Sequence, residues 1–269
     1  MTQIAFIGAG NMAGSLIRGL IESGHPPSAL RAADISAAQL ERYADLNVMT
    51  SSDNAEVTNG ADVVVLAVKP QVLVPIVRNL PLEPHQLVIS IAAGIDMAAL
   101  ERAAPAGQPI VRCMPNTPAL VGAGMAGLFA NAPVSEPQRE SAEAILSAVG
   151  QVVWLAEETL IDAVTAVSGS GPAYFFYLME HMVTAGTQLG LSRAQATQLT
   201  LQTAHGAALL AMSSEDGPAQ LRANVTSPGG TTERALATLN EAGVSDAIVR
   251  ALNGAAVRSA ELAKEFGEA

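Results

Sequence analysis

The stretch Ile4-Ala5-Phe6-Ile7-Gly8-Ala9-Gly10-Asn11-Met12-Ala13-Gly14 decides the fold. An apolar run of strand length ends in a glycine turn, and a helix-compatible segment opens directly behind it. That order is what a βα unit needs to aim a helix N-terminus at a pyrophosphate. Gly8 permits the tight turn, Gly10 lets the backbone approach the phosphates, and Ala13 is small enough for close packing of helix on sheet. In such units an acidic residue about 20 positions further on accepts the adenosine ribose 2′-hydroxyl. Asp34 stands at the end of the second predicted strand and would repel a 2′-phosphate. It equally suits a cap for a helix beginning near Ser36. Arg31 precedes it and Arg42 falls on the following helix, so neither is expected on the loop, and the residues lean slightly toward NADH.

Outward from this motif, short Val, Ile and Ala-rich runs alternate with helical patterns, the signature of βαβ units and a parallel sheet. Strands are predicted at Gln3–Ile7, Leu30–Ala33, Val63–Val68, Leu87–Ile91, Ile110–Met114 and Val152–Leu155, with a weaker one at Asn47–Thr50. Beyond Glu157 the β-like runs stop, and helices are predicted at Thr159–Val167, Pro172–Leu189, Ser192–Met212, Thr231–Glu241 and Val244–Glu265. The expected fold is an α/β Rossmann-type nucleotide-binding domain over 1–156 followed by an all-α domain over 157–269. Pro172–Leu189 lacks a clear polar face, which points to burial against a second subunit. The serines of Ser168-Gly169-Ser170-Gly171-Pro172 read as helix caps.

The chain is 49% hydrophobic with a formal charge of −11, so it suits a packed globular protein and disfavours nucleic acid and anionic membrane surfaces as partners. Cys113 is the single cysteine and reads as a buried small apolar residue, which excludes an intrachain disulfide and suits a reducing compartment. The chain opens without a basic segment leading into an apolar one, and apolar stretches break before about 18 residues, so a cytoplasmic protein without a membrane span is expected. No His, Cys and Asp cluster has metal-ligand spacing.

Lys69, in Ala67-Val68-Lys69-Pro70, follows the fourth strand and falls on the carboxyl rim of the sheet, where ligands of open α/β folds bind. Ala92-Ala93-Gly94 and Asn116-Thr117-Pro118 fall on the same rim. Val225-Thr226-Ser227-Pro228-Gly229-Gly230-Thr231-Thr232 is a glycine turn running into a helix. Its N–H groups and hydroxyls suit a small carboxylate, although a plain helix start needs many of the same residues.

Taken with Arg112-Cys113-Met114-Pro115-Asn116-Thr117-Pro118 and Ser168–Tyr174, these motifs resemble the pyrroline-5-carboxylate reductase family in order and spacing over essentially the whole chain. The resemblance implies hydride transfer from NADPH or NADH to the C=N bond of 1-pyrroline-5-carboxylate, giving proline. It further implies a homodimer, with dimers assembling up to a decamer, and an active site between the cofactor and a partner's helices. By match to the motifs, Gly8, Gly10, Asn11, Met12, Ala13, Asp34, Asn54, Ala67, Val68, Lys69, Pro70, Ala92, Ala93, Gly94 and Asn116 would contact the cofactor. Ser227, Gly229, Gly230, Thr231 and Thr232 would hold the substrate carboxylate, with Thr232 or a Glu215-bound water assisting at the ring nitrogen. The resemblance also implies a common preference for NADPH, often with a small polar residue and a neighbouring base near the position Asp34 occupies, so both cofactors are carried forward.

Two other readings compete. A β-hydroxyacid dehydrogenase shares the glycine turn and a helical second domain, but it resembles its relatives in placing a catalytic lysine on an early helix there. The lysines of this chain are Lys69 and Lys264 only, and His181 and His205 read as packing or surface residues. A nucleotide sensor without turnover is the second, and it has little use for a carboxylate-binding turn.

Overall fold

The computed structural model describes residues 1–267. Eight strands form one sheet in the order β3-β2-β1-β4-β5-β6-β7-β8. They are β1 (Ile4–Ile7), β2 (Leu30–Ala33), β3 (Met49–Ser51), β4 (Val63–Leu66), β5 (Leu87–Ser90), β6 (Ile110–Met114), β7 (Gly124–Ala130) and β8 (Gly150–Trp154). The helices interleaved with them are α1 (Asn11–Glu22), α2 (Ala37–Glu41), α3 (Asn54–Thr58), α4 (Pro70–Asn79), α5 (Met97–Ala103) and α6 (Glu136–Ser147). After β8 come α7 (Leu160–Val164), α8 (Gly171–Gln188), α9 (Arg193–Ser213), α10 (Pro218–Asn224), α11 (Thr231–Glu241) and α12 (Val244–Gly267).

The near-continuous apolar character of the strands has a simple cause: both faces of the sheet are covered. Alternate side chains of β1 serve different cores, Ile4 and Phe6 packing with Leu16, Ile17 and Tyr43, while Ala5 and Ile7 pack with Val64, Leu73 and Leu100. Each fully buried large side chain contributes about 1.5–3 kcal/mol relative to exposure.

Register then sets the rim. Ile7 is level with Ala33 and with Leu66, Leu66 with Ser90, and Ser90 with Arg112. Gly8, Asp34, Ala67 and Ile91 therefore leave the sheet at one level, the carboxyl edge on which a ligand of a parallel sheet sits.

The expected all-parallel pattern fails at one place, because β7 runs antiparallel to β6 with Cys113 opposite Leu128 and Met114 opposite Gly127. Sequence reading overlooks β7, since Gly124 and Gly127 look like breakers. Gly127 is needed for close approach instead: a Cβ there would stand 2.8 Å from Val164 of α7. The expected helix over Thr159–Val167 divides into α7 and a π-turn at Thr165–Gly169. Within that turn the Ser168 hydroxyl donates to the Val164 carbonyl at 3.0 Å and does not cap the next helix. Helix α10 was unforeseen because Gly217-Pro218 looks like punctuation, whereas Gly at the N-cap and Pro at the first position start a helix.

The compact units are Met1–Ser170 together with the chain from Gly254 onward, and Gly171–Asn253. The expected parting at 156/157 follows the change in composition, whereas the compact units part after Ser170 and again after Asn253. Glu158 accepts from the buried Arg112 guanidinium and from the Met97 N–H, both at 2.6 Å, and this ties the segment after β8 to the sheet. The end of α12 belongs to the first unit as well, with the Ser259 hydroxyl donating to Asp162 at 2.7 Å and the Phe266 ring lying against Gly94.

In the second unit α8 packs along α9, which starts on a capping box formed by Ser192 and Gln195. The buried residues of these two helices are Gly171, Val183, Ala196 and Thr200, whereas Phe175, Phe176, Tyr177, Leu178 and Met212 are exposed. An apolar surface of that extent marks an association face. Among the described residues no helix is long and apolar enough to cross a membrane.

Candidate active site

The glycine turn is built by two neighbouring strands. Gly8 N–H donates to the Ala33 carbonyl and Ala67 N–H to the Ile7 carbonyl, both at 2.8 Å. Gly8 has φ +98°, and a Cβ there would stand 2.8 Å from the Ala67 carbonyl, so conformation and space both require glycine. Gly10 is the N-cap of α1 and makes no side-chain cap. A Cβ on Gly10 would meet nothing within 4 Å, so the first-turn N–H groups of α1 open onto free space. An uncapped helix start with room above it fits a pyrophosphate, which supplies the missing acceptors.

Asp34 combines both sequence readings. Its Oδ1 accepts from Ser36 N–H as a cap ahead of α2, and its Oδ2 accepts from Ala9 N–H inside the glycine turn, each at 2.9 Å. From below, the buried Tyr43 hydroxyl donates to the Ala9 carbonyl at 3.0 Å. Burial pushes the Tyr43 phenol above its ordinary pKa against the opposing pull of Arg42 and Arg18. The turn is therefore clamped from both sides, by groups outside the glycine pattern.

Further along the rim, Ala67 and Val68 are half-buried, and Lys69 is exposed at the N-cap of α4, with Pro70 at its first position. Ala92 is buried, Ala93 exposed, and Gly94 adopts φ +73° with Phe266 against it. Asn54 opens α3 beside a cavity of about 570 Å³ lined by Asp53, Gln71, Val72 and Pro75. Asn116 differs from the others. Its Oδ1 accepts from Met125 N–H at 2.9 Å and its Nδ2 donates to the Ser168 carbonyl at 3.0 Å, so the side chain braces the π-turn. Cys113 is buried, and burial pushes its thiol far above the ordinary range, which makes it a poor nucleophile.

In the second unit, the turn before α11 is shaped by Thr226 Oγ1 donating to the Arg222 carbonyl at 2.6 Å and by Gly230 N–H donating to the Ser227 carbonyl at 3.0 Å. Gly229 takes φ +71°. Ser227, Gly229 and Thr231 are exposed, and Gly230 and Thr232 half-buried. Gly229 N–H donates to Glu233 Oε2 at 2.7 Å, so a carboxylate of the chain already occupies one of the turn's donors. Sequence reading missed Glu233, although the third position of a helix after a glycine N-cap is where an acidic capping residue belongs. Glu215 is exposed and precedes α10, so a helix of 7 residues separates it from the turn. His181 is exposed and lies edge-on against Tyr177, ring centroids 4.3 Å apart.

A mainly parallel sheet with an open helix start behind a glycine turn, in a chain whose helical unit bears an apolar association face and a glycine turn ahead of α11, is the frame of a nicotinamide-dependent oxidoreductase. Residues 158–262 match the family model described as pyrroline-5-carboxylate reductase dimerisation, and the chain is 54% identical to the pyrroline-5-carboxylate reductase of Pseudomonas aeruginosa over 99% of this chain and 98% of that one. The chain belongs to the pyrroline-5-carboxylate reductase family. Residues 3–94 also match a model described as NADP oxidoreductase, coenzyme F420-dependent. Among solved structures, a pyrroline-5-carboxylate reductase from Coxiella burnetii is 42% identical with a TM-score of 0.93, covering 97% of this chain and 98% of that one. A Plasmodium falciparum pyrroline carboxylate reductase with NADP bound is 29% identical with a TM-score of 0.87, at the same coverage of 97% and 98%.

Proposed function

We propose that this protein reduces the C=N bond of 1-pyrroline-5-carboxylate with NAD(P)H to give L-proline, the last step of proline biosynthesis. The observation that carries this reading is the Gly229–Glu233 bond at 2.7 Å. It supports a turn whose N–H groups donate to a carboxylate, which is the anionic handle the substrate offers. The turn belongs to a chain that also presents an open dinucleotide fingerprint.

When bound, the reduced nicotinamide supplies a hydride to C5 of the ring. The chain's own task is to position and to hold a proton. Ser227, Gly230, Thr231 and Thr232 hold the carboxylate through N–H and hydroxyl donors, which sets the ring's orientation. The protonated imine is the better hydride acceptor and becomes a neutral amine as hydride arrives, so the proton on nitrogen is kept in place during transfer. The Thr232 hydroxyl, or a water held by Glu215, accepts that N–H. Gly8, Gly10, Asn11, Met12 and Ala13 bind the pyrophosphate. Asp34 and Asn54 serve the adenosine end, and Lys69, Pro70 and the Ala92–Gly94 backbone the nicotinamide half.

The exposed apolar face of α8 supports a homodimer. Assembly of dimers into a decamer and residence in the cytoplasm complete the reading.

Purified protein mixed with 1-pyrroline-5-carboxylate and NADH or NADPH should oxidise the cofactor, followed near its absorbance maximum at about 340 nm. Proline should accumulate in equal amount. Cofactor binding without turnover would overturn the imine substrate and leave the nucleotide-sensing reading.

A further inference from the structure

The segment after β5 is tied at both ends. Ile91 N–H donates to the Leu66 carbonyl at 3.2 Å, and Met97 N–H donates to Glu158 at 2.6 Å. Midway between these bonds Gly94 is buried with φ +73°, and what covers it comes from the far end of the chain. A Cβ on Gly94 would stand 2.9 Å from Phe266 Cδ2 and 3.3 Å from Leu262 Cβ.

Chain ends fray unless something ties them down. Ser259, Leu262 and Phe266 recur at helical spacing and so share one face of α12. The Ser259 hydroxyl donates to Asp162 Oδ1 at 2.7 Å, which turns that face toward the sheet's unit. Beside it Arg258 pairs with Glu261 at 2.9 Å and with Glu265 at 2.8 Å, an exposed stripe that supports the last two turns.

The same ring also meets the segment after β4. Phe266 packs against the core cluster that contains Val74, Ala92 and Ile95, and with Pro70, Gln71, Val74 and Pro75 it closes a cavity of about 50 Å³. Pro70 is the first residue of α4, next to Lys69. Strands β4 and β5 are neighbours with Leu66 level with Ser90, so the two segments leave the sheet side by side, and one aromatic ring touches both.

We infer that Phe266 is a positioning residue for hydride transfer: packed against Gly94 and the first turn of α4, it fixes the two loops that serve the nicotinamide half. The inference rests on the NAD(P)H reading above, in which Lys69, Pro70 and the Ala92–Gly94 backbone hold that half. A misplacement of about 1 Å at the reacting atoms costs about 100-fold in rate, so a slight relaxation of these loops is enough to be measured. The body of α4 is anchored by the buried Leu73 and Val77, so losing the ring should leave the adenosine end of the site as it is.

Isothermal titration of the full-length Phe266→Ala protein with NADPH, NADH and ADP tests this without turnover. The variant should bind the reduced cofactor about tenfold more weakly and ADP within twofold of the parent. In steady-state assays with 1-pyrroline-5-carboxylate at saturating cofactor, kcat should fall at least tenfold with KM for the imine within twofold. Phe266→Leu keeps much of the apolar contact and should lose only about threefold in reduced-cofactor affinity, again with ADP unchanged. Thermal melts check the fold, and if Phe266→Ala does not fold, the Phe266→Leu titration decides. Equal losses for ADP and reduced cofactor, or no loss for either, would overturn the inference, as would a Phe266→Leu protein no better than Phe266→Ala. A parent that binds neither reduced cofactor would instead refute the cofactor reading itself, and a parent that binds cofactor without reducing the imine would refute the substrate reading.

Discussion

Replacing Glu233 by glutamine should tighten substrate binding. Its carboxylate accepts from Gly229 N–H at 2.7 Å, so an incoming substrate carboxylate meets a donor already in use and a like charge beside it. Two unit charges about 4 Å apart repel by about 1 kcal/mol in water and about 4 kcal/mol at an effective dielectric near 20. The Gly229 bond is exposed, so the lower end applies, and the bond itself contributes about 1 kcal/mol or less. Removing the charge while keeping the shape should lower KM for 1-pyrroline-5-carboxylate by about fivefold, taking about 1 kcal/mol of relief. KM for the cofactor should stay put. The same change removes an acidic residue from the first turn of α11, at a cost of about 0.3–1 kcal/mol in stability, so the melting temperature should drop slightly. Steady-state kinetics at saturating cofactor and a thermal melt would read both effects. A rise in KM would refute the reasoning, because it would mean that Glu233 holds the turn in its binding shape instead of competing for it.

Thr232→Ala should raise KM for the imine by about tenfold, the worth of a hydrogen bond to a charged group, while NAD(P)H affinity measured by fluorescence quenching is unchanged. Gly10→Val should abolish that quenching and still fold, because a Cβ at Gly10 enters open space above α1 and only the pyrophosphate would contest it. Circular dichroism separates lost binding from lost fold. Cys113 is buried with its thiol pKa pushed up, so a disulfide reagent at neutral pH should label it only after denaturation. Labelling of the native protein would contradict the packing between β6 and β7.

Much of the nucleotide half could be read from local pattern. The buried parallel strands are mostly apolar runs followed within a few residues by Gly, Pro or Asp, so β1, β2, β4, β5 and β6 are visible one by one, and the glycine turn places a helix start behind the first. Strand β7 was not visible, because its glycines answer to residues outside the strand, Gly124 to Val149 and Gly127 to Val164. The bonds of the Asn116 amide to Met125 and Ser168 were hidden for the same reason, since its motif marks only a place on the rim.

The sequence by itself determined the glycine fingerprint behind β1 and the glycine turn ahead of α11, since each depends on residues within about a dozen positions of one another, where spacing and turn chemistry suffice. Only the tertiary structure decided how those parts are held and charged. Tyr43 under Ala9, Arg42 over Asn11, Glu158 on Arg112 and Phe266 on Gly94 are pairings between distant segments. They follow from strand order and register, which bring the loops to one rim, and no local period encodes that meeting.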